Sequence, residues 1–227
     1  MRDFSFLHFN TMKSDKFILG TKGKMTQVFD EKGVVSPGTI ITAGPMTVTQ
    51  VKTTEKDGYN AVQMGFHATK DHRVNKPQLG HAKGKAFRYF REMRTNEGAT
   101  MPEVASAMDV SSFAVGDIVT VSATSKGKGF QGVVKRHGFH GGPRSHGQKN
   151  KERSPGSLSG GGRSGGKVAK NMRMGGRMGN DRITVKNLRV LQIDAATNTL
   201  LISGAVPGRP GTLVEIRAQS STKSNKN

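Results

Sequence analysis

Short runs of alternating apolar and polar residues dominate the chain, a pattern of strands rather than helices. From residue 16 onward, Phe17-Ile18-Leu19 and Met25-Thr26-Gln27-Val28-Phe29 are rich in strand-favouring residues. Asp30-Glu31-Lys32-Gly33 reads as a turn before Thr39-Ile40-Ile41. Met46-Thr47-Val48-Thr49-Gln50-Val51 alternates with period two, Lys56-Asp57-Gly58 is another turn, and Val62, Met64 and Phe66 share one face. Strands at this spacing, broken by Gly and Asp, predict a mainly β fold built on a small antiparallel β-barrel. Its expected core includes Phe17, Val28, Val62, Phe66, Val119 and Val190. Residues 67–100 are less regular: 76–85 is basic, 86–94 fits a strand or a short helix, and 101–105 fits a helix start or a loop. Strands resume at 117–121, at Ile183-Thr184-Val185, at 189–193, at Leu200-Leu201-Ile202 and at Leu213-Val214-Glu215-Ile216, with 194–198 as a turn.

Between residues 126 and 182 the periodicity disappears. This stretch holds 14 Lys and Arg against two acids, Glu152 and Asp181, and 16 of the 30 glycines. Its apolar side chains, Phe130, Val133, Val134, Phe139, Leu158, Val168, Ala169, Met172, Met174 and Met178, are too few to offset the entropy of ordering so long a backbone. The segment is expected to stay mobile until it meets a partner. A loop of this length is either a disordered linker or a functional loop. Clustered Arg and His among glycines favour the second, because glycine lets the backbone approach phosphate closely and Arg binds phosphate with a planar fork.

The whole chain agrees with that reading. Its 227 residues carry 36 Lys and Arg against 16 Asp and Glu, a formal charge of +20, with a pI near 10.6. Such an excess marks a polyanionic partner, since each phosphate neutralised releases condensed counterions. A membrane surface would call for an amphipathic basic helix, and the sequence offers none. Nor is there a run of ~20 apolar residues for a membrane span. The run Phe4-Ser5-Phe6-Leu7-His8-Phe9 is too short for a signal sequence. The absence of Cys excludes disulfides, a thiol nucleophile and Cys-based zinc sites, and the cytoplasm is the expected compartment.

Three catalytic or ligand readings are weaker than they look. Residues 161–167 match the first seven positions of a phosphate-binding loop, G-x-x-x-x-G-K, but Val168 stands where Ser or Thr would hold Mg²⁺. No strand precedes the stretch and no amphipathic helix follows it. Ser145, His146 and Asp181 lack the rigid scaffold that a hydrolytic triad needs. The seven histidines lack metal-ligand spacing. No catalytic residue, cofactor or metal site is expected, and no small-molecule substrate.

Residues 125–139 (SKGKGFQGVVKRHGF) closely resemble the signature of the large-subunit ribosomal protein L3 family, bacterial type. So do Gly141-Gly142-Pro143 with Ser145-His146-Gly147, Ser154-Pro155-Gly156-Ser157-Leu158, and residues 174–180 (MGGRMGN) leading into Arg182-Ile183-Thr184-Val185. Gly204-Ala205-Val206-Pro207-Gly208, residues 23–29 (GKMTQVF) and Thr49-Gln50-Val51 extend the likeness over about residues 16–216.

The resemblance implies a body like the β-barrel of translation-factor domains, with an excursion running inward along large-subunit rRNA toward the peptidyl-transferase centre. It also implies binding near the 3′ end of that rRNA, early in assembly, with neighbouring large-subunit proteins as further partners, no self-association and no chemistry. Two features depart from the family. Many relatives carry a Gln, methylated in some, soon after the Pro-Gly-Ser motif, whereas here Ser159-Gly160-Gly161-Gly162-Arg163 follows, and residues 1–15 have no counterpart.

The expected organisation is an N-terminal extension (1–15), a first part of the barrel (16–125), the rRNA-penetrating loop (126–182), closing strands (183–217) and a disordered tail (218–227). A start at Met12 is compatible with this. Lys126, Lys128, Lys135 and Arg136, which flank Phe130, are expected to meet phosphates. His137, His140 and His146 would donate to phosphate or stack on bases. Arg144, Arg153 and Arg163 would serve the inward-reaching part, and Lys167, Lys170, Arg173 and Arg177 the return path, with Lys149, Lys151 and Arg182 as further rRNA-binding residues. The rivals are a nucleic-acid-binding protein acting outside the ribosome and an NTP-dependent enzyme.

Overall fold

A computed structural model describes residues 16–30, 32–95, 101–158 and 165–218. The expected extension at 1–15, the tail from Gln219, Arg163 and the first four positions of the G-x-x-x-x-G-K match lie outside the described residues. The fold is mainly β, as the alternation predicts. In chain order the strands are β1 (Phe17–Phe29), β2 (Val35–Ala43), β3 (Met46–Lys52), β4 (Ala61–Ala68), β5 (Phe87–Arg94), β6 (Ala107–Met108), β7 (Ile118–Thr124), β8 (Phe130–Gln131), β9 (Gly176–Arg177), β10 (Arg182–Asp194), β11 (Thr199–Ser203) and β12 (Leu213–Ala218). Among the described residues three short α-helices lie between them: α1 (Thr54–Asp57), α2 (Lys76–His81) and α3 (Val133–His137). The chain divides into two compact units: the described residues of Met1–Thr124 and Ile183–Asn227 form the body, and Ser125–Arg182 form the insert.

Six body strands close a barrel in the order β1-β12-β7-β10-β11-β2. Alternation explains how it fills. In β12, Val214, Ile216 and Ala218 point inward between half-exposed Leu213, Glu215 and Arg217, and in β7 Val119, Val121 and Ala123 are buried. Burying a side chain such as Ile216 contributes about 1.5–3 kcal/mol. Ala218 ends β12 rather than opening the tail.

The first-half strands do not all join the barrel. β3, β4, β5 and β6 form a separate four-stranded sheet in the order β5-β4-β3-β6. Gly44 turns the chain with φ +73° and Pro45 has no amide to donate, so the barrel ladder stops there and β3 starts a new sheet. Val62 and Phe66, expected in the barrel, are therefore core residues of this second sheet, packed in one continuous core with Phe17, Val119 and Val190. Val28 is only half-buried. Beyond a bulge between Lys22 and Met25, β1 pairs with β2 alone, and Met25 and Phe29 are 55% and 64% exposed there.

Other ambiguities resolve toward strands. Residues 86–94 supply β5, residues 101–105 are a loop tied to β3 by the Ala105 amide on the Val48 carbonyl, and the two runs 183–185 and 189–193 are one strand, β10. The turn at 194–198 is closed by Asp194, whose carboxylate accepts from the Ala196 amide and the Thr197 hydroxyl.

Candidate nucleic-acid interface

The insert begins as a ribbon whose two ends are bonded to each other. Ser125 N donates to Asp181 O at 2.8 Å, Lys128 N to Met178 O at 2.9 Å, and Met178 N to Gly129 O at 3.0 Å. β8 and β9 then pair, Phe130 opposite Arg177 and Gln131 opposite Gly176. This places Lys126, Lys128 and Arg177 along one narrow two-stranded stem. Phe130 stands 80% exposed on it, an unusual position for a phenyl ring.

After β8 the chain turns through α3, which ends where Gly138 takes the left-handed conformation (φ +73°) and donates to Val133 and Val134 carbonyls. Val133 packs inward and is the single buried side chain among the described residues of the insert. α3 is pinned to the returning chain by two side chains expected to meet rRNA. Arg136 donates from Nη1 to the Met174 carbonyl at 2.9 Å, and His137 donates from Nε2 to the same oxygen at 3.0 Å. A Cβ at Gly176 would lie 2.5 Å from Arg136 Nη1, so glycine there makes room for the guanidinium. Both side chains are half-buried, and their donors serve the insert's own geometry.

The segment after α3 is held by a second close approach. Gly142 N donates to Glu152 O at 2.8 Å, and a Cβ on Gly141 (φ +79°) would meet that same carbonyl at 2.1 Å. Arg144 Nε pairs with Glu152 Oε1 at 2.6 Å, an exposed ion pair worth little in water. Beside it Lys149, Lys151, Arg153, His140 and His146 are exposed, and so are Lys167, Lys170, Arg173 and Arg182 on the return path.

Fourteen of the seventeen expected contact residues are thus on the surface, Arg136 and His137 are half-buried, and Arg163 lies outside the described residues. Ten of the exposed ones, Lys126, Lys128, Lys135, Lys149, Lys151, Arg153, Lys167, Lys170, Arg173 and Arg177, form no ion pair among the described residues. Cations held this way, on a backbone rich in glycine, can reach several phosphates at once, and no internal carboxylate has to be displaced first.

The body carries a further concentration of charge that the sequence pattern showed only as the basic stretch 76–85. Lys70, Arg73, Lys76, Lys83, Lys85 and Arg88 are exposed around α2 and the start of β5. The signal was present in the count, eight Lys and Arg against two acids over residues 67–94, but the irregular periodicity drew no site there. Among the described residues no helix is long and apolar enough to cross a membrane, and no cluster of His, Asp and Glu could hold a metal ion.

Comparison with known proteins adds an independent line. The sequence model of the family "Ribosomal protein L3" matches residues 92–205, which include the whole insert. A "Large ribosomal subunit protein uL3" from Herpetosiphon aurantiacus is 50% identical over 209 residues, covering 91% of this chain and 98% of the relative. Proteins of the same description from Acidothermus cellulolyticus (48% over 217 residues, 94% and 97% covered) and Pelotomaculum thermopropionicum (47% over 205 residues, 89% and 96% covered) are similar throughout.

Proposed function

Because the chain belongs to the ribosomal protein L3 family, we propose that it is a structural constituent of the bacterial large ribosomal subunit whose insert binds large-subunit rRNA. The contact lies near the 3′ end of that rRNA, forms early in subunit assembly, and carries the insert toward the peptidyl-transferase centre, with neighbouring large-subunit proteins meeting the body. The protein performs no chemistry of its own, and it works as a single copy within the ribosome.

One observation carries this reading: among the described residues, ten exposed cations have no acidic partner and are strung along a glycine-rich ribbon with one buried side chain. Arg and Lys so placed neutralise phosphates, while the exposed Phe130 offers a face on which a base can stack. The test is the salt dependence of binding to large-subunit rRNA. With about ten phosphate contacts at ~0.7 each, log K against log[salt] has a slope on the order of −7. A slope near −2 would rule out the insert as the main binding surface.

A further inference from the structure

Phosphate contacts leave one feature of the insert without a use. Where α3 meets the Gly141–Glu152 contact there is an open hollow of about 600 Å³, within the ~300–1,000 Å³ of small-molecule sites. Its wall combines apolar surfaces from Phe139 and Pro155, the imidazoles of His137 and His140, and the cations Lys151 and Arg173. Both sides are fastened. His137 is held by the Met174 carbonyl, and its ring lies 6.0 Å from that of Phe139 at 45°. On the other side the Gly142–Glu152 hydrogen bond, and Ser154 donating to the Lys151 carbonyl at 3.0 Å, shape the turn that carries Lys151 and Pro155. Neither Lys151 nor Arg173 has an acidic partner among the described residues.

A bare phosphodiester would waste the apolar wall, and an apolar ligand would waste the cations. The occupant that uses both has a flat ring and an anionic group side by side. Resting on the function proposed above, we propose that this hollow receives one unstacked nucleotide of the rRNA, its base against Phe139 and Pro155 and its phosphate on Lys151 and Arg173. His140, exposed at the rim, is then placed to donate to a base edge. Such a site reads RNA shape, because only a segment with a nucleotide turned out of its stack can fill it.

The experiment uses the full chain, a large-subunit rRNA transcript, and base-specific chemical probing at nucleotide resolution. Wild-type protein is expected to shield one base in an unpaired segment. Phe139→Ala should re-expose that base and weaken binding roughly tenfold or more, with the salt slope unchanged, and Phe139→Tyr should restore both. Replacing Lys151 and Arg173 together by Ala should flatten the slope by about 1.4. The inference is overturned if Phe139→Ala changes no base's reactivity, or leaves affinity as it was. It is also overturned if free adenosine or uridine monophosphate saturates the site at micromolar concentration and the rRNA does not compete, which would make it a mononucleotide site. Complete absence of rRNA binding by wild type would sink the proposed function together with this inference, whereas intact binding with no base engaged sinks this inference alone.

Discussion

Asp117 shows what one side chain contributes to the body. Its Oδ2 accepts from the Ala114 amide at 3.0 Å and from Lys16 Nζ at 3.1 Å, closing the turn that launches β7. The amide first, and the ammonium after it, hold the carboxyl below the usual carboxylate range, against an opposing cost of burial. A carboxylate depressed in the folded state stabilises the fold fully above its unfolded pKa of ~3.9, and that stability disappears as pH falls through the folded value. Asp117→Asn should therefore cost about 1–2 kcal/mol at pH 7 by urea denaturation, with the gap to wild type closing in the acid range below pH 4. A gap that persists unchanged at pH 2 would show that shape, not charge, accounts for the loss. The same scale separates hydrogen-bond donors that look alike in sequence. Lys135, Arg136 and His137 are consecutive, yet only Lys135 is exposed, while the other two bond to Met174, 37 or 38 positions away. That difference was not legible beforehand, because it depends on which glycine, here Gly176, lies under the guanidinium.

At the level of elements, alternation located the body strands except β6, with β5 left open between strand and helix, but not the sheet each one joins. β3 and β4 carry an alternating apolar face as β7 and β12 do, though a bulge after Val48 interrupts β3, and what separates them from the barrel is a Gly-Pro step that stops one ladder. Pattern reports which residues face a core; partner choice lies in long-range register, which no local window contains. The insert's departure from periodicity was plain, yet its three small elements were not, since β8 and β9 are two residues each and α3 is five. Its attachment is simple. β7 and β10 are neighbours in the barrel, Ser122 Oγ lies 2.8 Å from Thr184 Oγ1, and within the insert Ser125 N bonds to Asp181 O. Residues 126–180 can therefore be replaced by a two-residue Asn-Gly turn, which matches the twist of a hairpin. The shortened chain is expected to keep a strand-type circular dichroism spectrum and a cooperative melt while rRNA affinity falls at least a hundredfold. An unchanged affinity would refute the division of labour between body and insert.

Across the whole molecule, core and charge are segregated. The insert bears +12 of the net +20 in 57 residues, while among the described residues the buried ones belong to the body apart from Val133. Local opening free energy follows buried apolar contact, so the insert's backbone should open far more readily than the barrel's. Trypsin requires an opened segment around Lys or Arg, and where reclosing is fast its rate reports the opened population. In nucleic-acid-free protein the first cuts should fall within residues 126–182, leaving the body strands intact. Large-subunit rRNA should suppress those cuts. Heparin provides the decisive control, because it matches the charge of RNA without its folded shape. If neutralising charge were enough to order the insert, heparin would protect it as well as rRNA does. Protection by rRNA at concentrations where heparin fails means that the glycine-rich backbone takes its form from the contours of the RNA, with the cations supplying attraction and the RNA surface supplying the core that the insert's own sequence lacks.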